Sequence, residues 1–455
     1  MVEPAEAVED GMVENKVINN ITQQLDEQCS TLEQKHYECM DKRKRSLKSR
    51  YIYGIVFLIT NLIAWFFRDY GERLLPLLHY SKACSIGENA CFHTLGVLRV
   101  SLGCFTFFFV MFVSTCNTSK LHEVRNTWHS GLWILKLVMS IISMVIPFFI
   151  PPDYIQIYGE VARVGAGIFL LLQLISVIEF ITWWNSYWMP DDKQKNSCSL
   201  GLFMSTIFYI ASLCGIVMMY VFYASKPSCT LNTFFITWTA ILLIVMMAIS
   251  LHSKVNRGLL SSGIMASYVV FLCWTAIRSE PATGKCSPQN QDKGHGGWTT
   301  VIGFLIALCS IVMATFSTGI DSQTFQFRRN EDQMEENDIP YKYGFFHLVF
   351  SLGAMYFAML FISWNLEDNS MARKWSIDVG WASTWVKIVN EWFAATIHCK
   401  PFKCVYIYIY IFIMPFGICS FIVFLFQKVL GLHIYFQKVY DEYRAYNLGS
   451  KTLTN

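Results

Sequence analysis

One of the most apolar runs in this sequence, EVARVGAGIFLLLQLISVIEFITWWNSYW at residues 160–188, carries Gln173, Ser176 and Glu179 inside it. Their i, i+3, i+6 spacing makes a slanting polar stripe on adjoining parts of one helix surface. Two roles fit such a stripe. It can act as hydrogen-bonding glue between helices, or it can form a groove for polar lipid headgroups, since an intramembrane ionisable group costs on the order of 3 kcal/mol at a helix centre when left alone. Lys136, in the run WHSGLWILK, is the opposite charge expected at a matching depth. The expectation is a Lys136–Glu179 ion pair bordering a polar path, against a Lys136 that snorkels while Glu179 holds a proton. Lys387 and Glu391 stand at i, i+4 and are expected to neutralise each other.

Other reactive side chains form no recognisable chemical set. Asp191 and Asp192 are adjacent, so on a helix they would not face one another and are read as solvated. His122, His129 and His347 lack metal-ligand spacing and are read as interfacial residues. The sequence holds 15 cysteines with no CxxC pair and no Cys/His ligand spacing, which argues against zinc or a redox centre. There is no GxSxG elbow, phosphate loop, zincin motif or dinucleotide fingerprint. The expectation is therefore a protein without enzymatic activity, catalytic residues, metal or cofactor.

The elements that must position these residues are membrane spans. Of 455 residues, 54% are hydrophobic and only 15% charged, with a mean hydropathy of +0.37. Those values indicate an integral membrane protein. The net charge of +3 is too small to argue for nucleic acid. Apolar runs near 51–67, 95–115, 131–150, 160–188, 200–223, 231–251, 259–277, 298–318 and 345–365 read as crossings. A weaker tenth, 379–397, is interrupted by Lys387 and Glu391, and 405–426 is an eleventh candidate.

Lys42, Arg43, Lys44, Arg45, Lys48 and Arg50 precede the first span, which puts the N-terminus in the cytosol by the positive-inside rule. That topology carries Cys84, Cys91, Cys229 and Cys286 to the lumen or cell exterior, where disulfides persist, with their connectivity left open. In residues 160–188, Ala162, Gly165, Ala166 and Gly167 are read as close helix packing. Trp183, Trp184, Tyr187 and Trp188 are read as an interfacial aromatic belt.

The segments RYIYGIVFLITNLIAWFFRDYG, CFHTLGVLRVSLGCFTFFFVMF, WHSGLWILK, GEVARVGAGIFLLLQLISVIEFITWWN, LHSKVNRGLLSSGIMASYVVFLCW, IRSEP, IVMATFSTGIDS and YKYGFFHLVFSLGAMYFAMLFISWN, in this order, resemble the serine incorporator family in its plant form. The resemblance runs from about residue 46 to about 396 and implies an all-α polytopic protein. It further implies about ten transmembrane helices, in two bundles around a long diagonal helix that residues 160–188 would supply. The implied roles are bringing serine into phosphatidylserine and sphingolipid synthesis, and moving lipids between leaflets. Membrane lipids, serine and lipid-synthesis enzymes are the implied partners, in the endoplasmic reticulum, Golgi or plasma membrane. A substrate-coupled serine transporter is the rival reading, although no internal repeat supports it. The resulting division is a polar cytosolic arm at 1–50, a family-like transmembrane domain at 51–397 and an atypical extension at 398–455. In that extension YIYIY is what a TATATA repeat encodes, so intron read-through or an alternative transcript competes with a genuine eleventh span.

Overall fold

The computed structural model describes residues 6–74, 89–188, 195–226, 229–251, 259–281, 286, 298–320, 338–364, 366 and 378–398. The adjacent pair Asp191 and Asp192, the cysteine Cys84 and the extension from 399 onward lie outside the described residues, as does the side chain of Cys91. Eleven helices follow one another: α1 Glu6–Leu74, α2 Asn89–Thr115, α3 Val124–Ser130, α4 Trp133–Val145, α5 Pro152–Trp188, α6 Lys195–Tyr223, α7 Thr230–Leu251, α8 Leu259–Arg278, α9 Trp298–Ile320, α10 Tyr343–Phe361 and α11 Trp381–His398. Among the described residues the only β pairing is an isolated bridge between Lys120 and Asp338. An all-helical architecture is what a chain this apolar requires, because helices satisfy their backbone groups internally.

Seven of these helices are long and apolar enough to cross a membrane, and an eighth span is added if α3 and α4, bent by 69°, count as one. In α9 the apolar stretch is Leu308–Gly319. Helix α11 is not among the seven, and it carries Lys387, Asn390 and Glu391. The polar arm and the first span are one continuous helix of 69 residues.

The chain separates into two compact units. The first takes residues 1–176 and 295–378, and so holds α1 to α4, most of α5, α9 and α10. Its core is aromatic. Phe57 of α1 meets Phe108 of α2 and Phe350 and Phe357 of α10 at ring distances of 5.8, 5.0 and 5.4 Å, mostly edge to face as ring quadrupoles favour. Ser101 of α2 donates to the Ala354 carbonyl of α10 at 2.9 Å and meets the Tyr158 hydroxyl of α5 at 2.8 Å. Gly103 lets α2 touch α4, since a Cβ there would lie 2.6 Å from the Ser143 carbonyl oxygen. At Gly165 a Cβ would strike Met355 Sδ at 2.0 Å, so α5 packs here as the small residues led us to expect. Ala162 and Ala166 are buried as well. Gly167 differs: nothing stands within 4 Å of its Cβ position.

The second unit takes residues 177–294 and 379–455. Helix α8 is its hub, packed against α6, α7 and α11. Hydroxyl contacts link α6 to α8: Tyr209 donates to Ser262 at 2.9 Å, and Ser212 meets Ser267 at 3.0 Å. Such polar contacts serve helices that gain nothing from lipid-to-lipid hydrophobic transfer. Cys229 and Cys286 form a disulfide across 57 residues of sequence, fixing the start of α7 to the connection that follows α8.

Candidate functional site

A break between α3 and α4, at the start of the third apolar run, organises a buried polar cluster of the first unit. Helix α3 stops at Ser130, Gly131 is extended, and Leu132 takes the left-handed conformation with φ 54° and ψ 40°. The last carbonyls of a helix have no partner within it. Lys136, one turn into α4, reaches back to supply one: its Nζ donates to the carbonyls of His129 at 2.8 Å and Gly131 at 2.7 Å. A cation at the negative end of a helix is also favoured by the dipole. Trp133, Tyr53 and Trp128 present their rings to the ammonium at 4.3, 5.3 and 5.6 Å, adding cation–π attraction where water is excluded.

This overturns the expected Lys136–Glu179 ion pair. Lys136 is 2% exposed and spends its protons on the bend, whereas Glu179 lies exposed on α5. The partners of Lys136 are the carbonyls at the break before α4, which residue spacing along the span does not reveal. The snorkelling alternative fails for the same lysine, which turns inward.

His129 and His347 are both fully buried, which corrects their reading as interfacial residues. Only His122 is exposed. His129 Nδ1 meets His347 Nε2 at 3.1 Å and His129 Nε2 meets the Tyr341 hydroxyl at 2.9 Å. The Tyr341 hydroxyl donates to the Ser46 carbonyl at 3.3 Å, so its oxygen accepts from His129 Nε2. His129 Nδ1 is then the acceptor, and His347 donates from Nε2. This is the arrangement for two neutral rings, and His347 Nδ1 makes no hydrogen bond among the described residues. Tyr343 stacks on His129 at 3.9 Å and 8°; its hydroxyl donates to Asn126 Oδ1 at 2.9 Å and meets Ser46 Oγ. Tyr53 donates to the His129 carbonyl at 2.9 Å. Four segments thus converge on one ring: the 46–53 part of α1, α3, the stretch before α10, and α10.

With Lys136 committed to the bend, the polar residues of α5 are the ones left to face outward. Helix α5 has 37 residues, about 55 Å at the usual rise, against a hydrocarbon core of about 30 Å. Ser176 is buried, Gln173 half-buried and Glu179 exposed, so the stripe turns from the packed side to the open side. The open side is otherwise apolar, with Val161, Val164, Ile168, Leu171 and Phe180 all exposed. Phe180, Trp183 and Tyr187 then run as a ladder of rings 5.9 and 5.8 Å apart, with Trp183 and Tyr187 exposed. Glu179 stands about 14 Å from the end of this helix, directly before Phe180 and one turn from Trp183. Among the described residues no group of three His, Cys, Asp or Glu could hold a metal ion.

Lys387 and Glu391 do not neutralise each other. Lys387 donates to Ser279 Oγ at 2.5 Å and to the Thr275 carbonyl at 3.4 Å, while Glu391 Oε1 lies 2.8 Å from Thr239 Oγ1. Thr275 of α8 and Ser279 just beyond it offer the lysine polar partners that the spacing on one helix does not show. Of the four cysteines expected in disulfides, Cys229 and Cys286 are paired.

The sequence matches the serine incorporator family over residues 27–338 and 326–418. A probable serine incorporator of Monosiga brevicollis is 23% identical over 427 residues, covering 76% of this chain and 87% of that relative. One of Dictyostelium discoideum is 25% identical, covering 70% and 82%. Serine incorporator 3 of Bos taurus is 24% identical, covering 83% and 92%. The apolar helices and this match across the chain have one reading: the protein is an integral membrane protein of the serine incorporator family.

Proposed function

We propose that the protein helps bring serine into phosphatidylserine and sphingolipid synthesis, or redistributes lipid between leaflets, without catalysing a covalent step itself. The observation that carries this reading is Glu179, a carboxylate on the outward face of α5 among exposed Val, Ile, Leu and Phe side chains. A carboxylate so placed in a bilayer draws in a polar partner, and the ammonium of an aminophospholipid headgroup suits it. Gln173, about two turns away and half-buried, extends the same path. Membrane lipids are then the direct partners, with serine and lipid-synthesis enzymes behind them.

About ten crossings, in two bundles around the long α5, accommodate this role, with the N-terminus in the cytosol. The Cys229–Cys286 disulfide supports a lumenal or exterior side for both connections that bear it. An endomembrane or plasma-membrane location follows from that reading. Proteoliposomes holding only this protein test it. Exchange of labelled phosphatidylserine between leaflets, slowed by Glu179→Gln and Gln173→Leu, is the expected result. Serine uptake without lipid exchange would favour a substrate-coupled transporter instead.

A further inference from the structure

The second unit carries a carboxyl group that the proposed lipid path does not use. Glu391 on α11 is 1% exposed, enclosed where α11 packs on α8 and α7. Its partner, Thr239, sits at the centre of the apolar stretch Thr230–Ala248 of α7. Nine residues separate Thr239 from each end of that stretch, about 14 Å either way, so the carboxyl lies near the midplane of the span.

Hydrogen counting then fixes its state. The Thr239 hydroxyl has one proton, yet Thr239 Oγ1 lies 2.8 Å from the Phe235 carbonyl oxygen and 2.8 Å from Glu391 Oε1. An ionised Glu391 would leave a single proton to serve both contacts. A neutral acid gives each its own: Glu391 donates from Oε1 to Thr239, and Thr239 donates to Phe235. The second carboxyl oxygen, Oε2, makes no hydrogen bond among the described residues. A charged oxygen in that position would be desolvated without compensation, whereas a neutral carbonyl tolerates it far better.

Among the described residues no neighbouring charge offsets this. Helix α7 contains no Asp, Glu, Lys, Arg or His. On α8 the titratable groups are Tyr268, the Cys273 thiol, which shares Thr239 as a neighbour, and Arg278 at the far end, placed over the Trp274 ring at 5.0 Å. On α11 itself Lys387 is directed to Ser279 and Thr275, and His398 lies two turns further on.

We infer that Glu391 is a proton-binding site, a neutral carboxylic acid held near the midplane of the second unit by Thr239. Infrared spectroscopy of the full-length protein in phosphatidylcholine vesicles at neutral pH tests this. The expected spectrum contains the C=O stretching band of a protonated carboxyl, shifted down in D₂O and lost in Glu391→Gln. That variant keeps an amide donor toward Thr239. Thr239→Val should keep the band and move it to higher frequency, because the acid loses its acceptor; this variant decides the matter even if Glu391→Gln fails to fold. A wild-type spectrum without the band, or with one that neither substitution alters, overturns the proposal.

Discussion

Lys136 and Glu391 are both ionisable side chains buried among helices, and their two units treat them differently. In the first unit the cation is saturated: two carbonyls accept from it and three aromatic faces surround it. In the second unit the carboxyl has one partner, Thr239, and one oxygen that bonds to no described residue. A fully satisfied buried charge locks local geometry, here the 69° bend, and has nothing left to exchange. A half-satisfied one can still gain or lose a proton. The contrast separates a structural use of intramembrane charge from a chemical one.

The largest expected effect comes from breaking the saturated centre. Lys136→Met removes both charge-assisted hydrogen bonds and leaves the His129 and Gly131 carbonyls buried without them, a loss of about 3 kcal/mol or more. Thermal unfolding in detergent should show a much lower midpoint. A midpoint within error of wild type would mean that the bend stands without its lysine. Cys229→Ser should come next and act on the second unit. The chain-entropy relation gives about 4 kcal/mol for a 57-residue loop, and helices already held in a membrane reduce this to about 2 kcal/mol. Hydrogen exchange that rises around α7 and α8, with α2 and α10 unchanged, would sharpen the separation of the two units.

His129→Phe tests the ring network apart from the lysine. It keeps the stack on Tyr343 and loses the contacts to Tyr341 and His347, for about 1.5 kcal/mol. An equal loss in Lys136→Met and His129→Phe would merge the two features into one. The smallest effect concerns Glu280, just beyond α8. Its carboxyl is buried, and desolvation raises its pKa, opposed by a hydrogen bond from Asn232. A raised carboxyl pKa favours the folded state at low pH, and that contribution fades as pH rises through the folded value. Melting temperatures measured from about pH 4 to pH 8 should fall for wild type relative to Glu280→Gln, by less than about 1 kcal/mol in stability. Parallel curves would remove Glu280 from consideration.

Much of the helical architecture was legible in residue order, because a run of about 20 apolar residues has few alternatives in a bilayer. That Cys229 and Cys286 were candidates for disulfides was within reach of a compartment argument, though their pairing with each other was not. The sites were harder to read. The turn at Gly131 and Leu132 is invisible to hydropathy, so the carbonyls that Lys136 actually serves were not legible beside the distant carboxylate that depth along the span suggested. His129 and His347 stand 218 positions apart, and neither has a metal-ligand motif around it. Their only signal is negative: two histidines inside apolar surroundings with no obvious solvent. Glu391 was judged by its own helix, where Lys387 is the visible neighbour, while its actual partner comes from α7.

The 218 residues between His129 and His347 also set a schedule. The first unit is interrupted in sequence by residues 177–294, which belong to the second, so a ribosome must finish that insertion before α10 emerges. At about 5 to 20 residues per second, His129 waits roughly 10 to 45 seconds for the ring that completes its hydrogen bonding. Tyr53 and Lys136 are made early and can hold the bend closed meanwhile. Nascent chains stalled before residue 343 should therefore lack α10 in the first unit and α11 in the second.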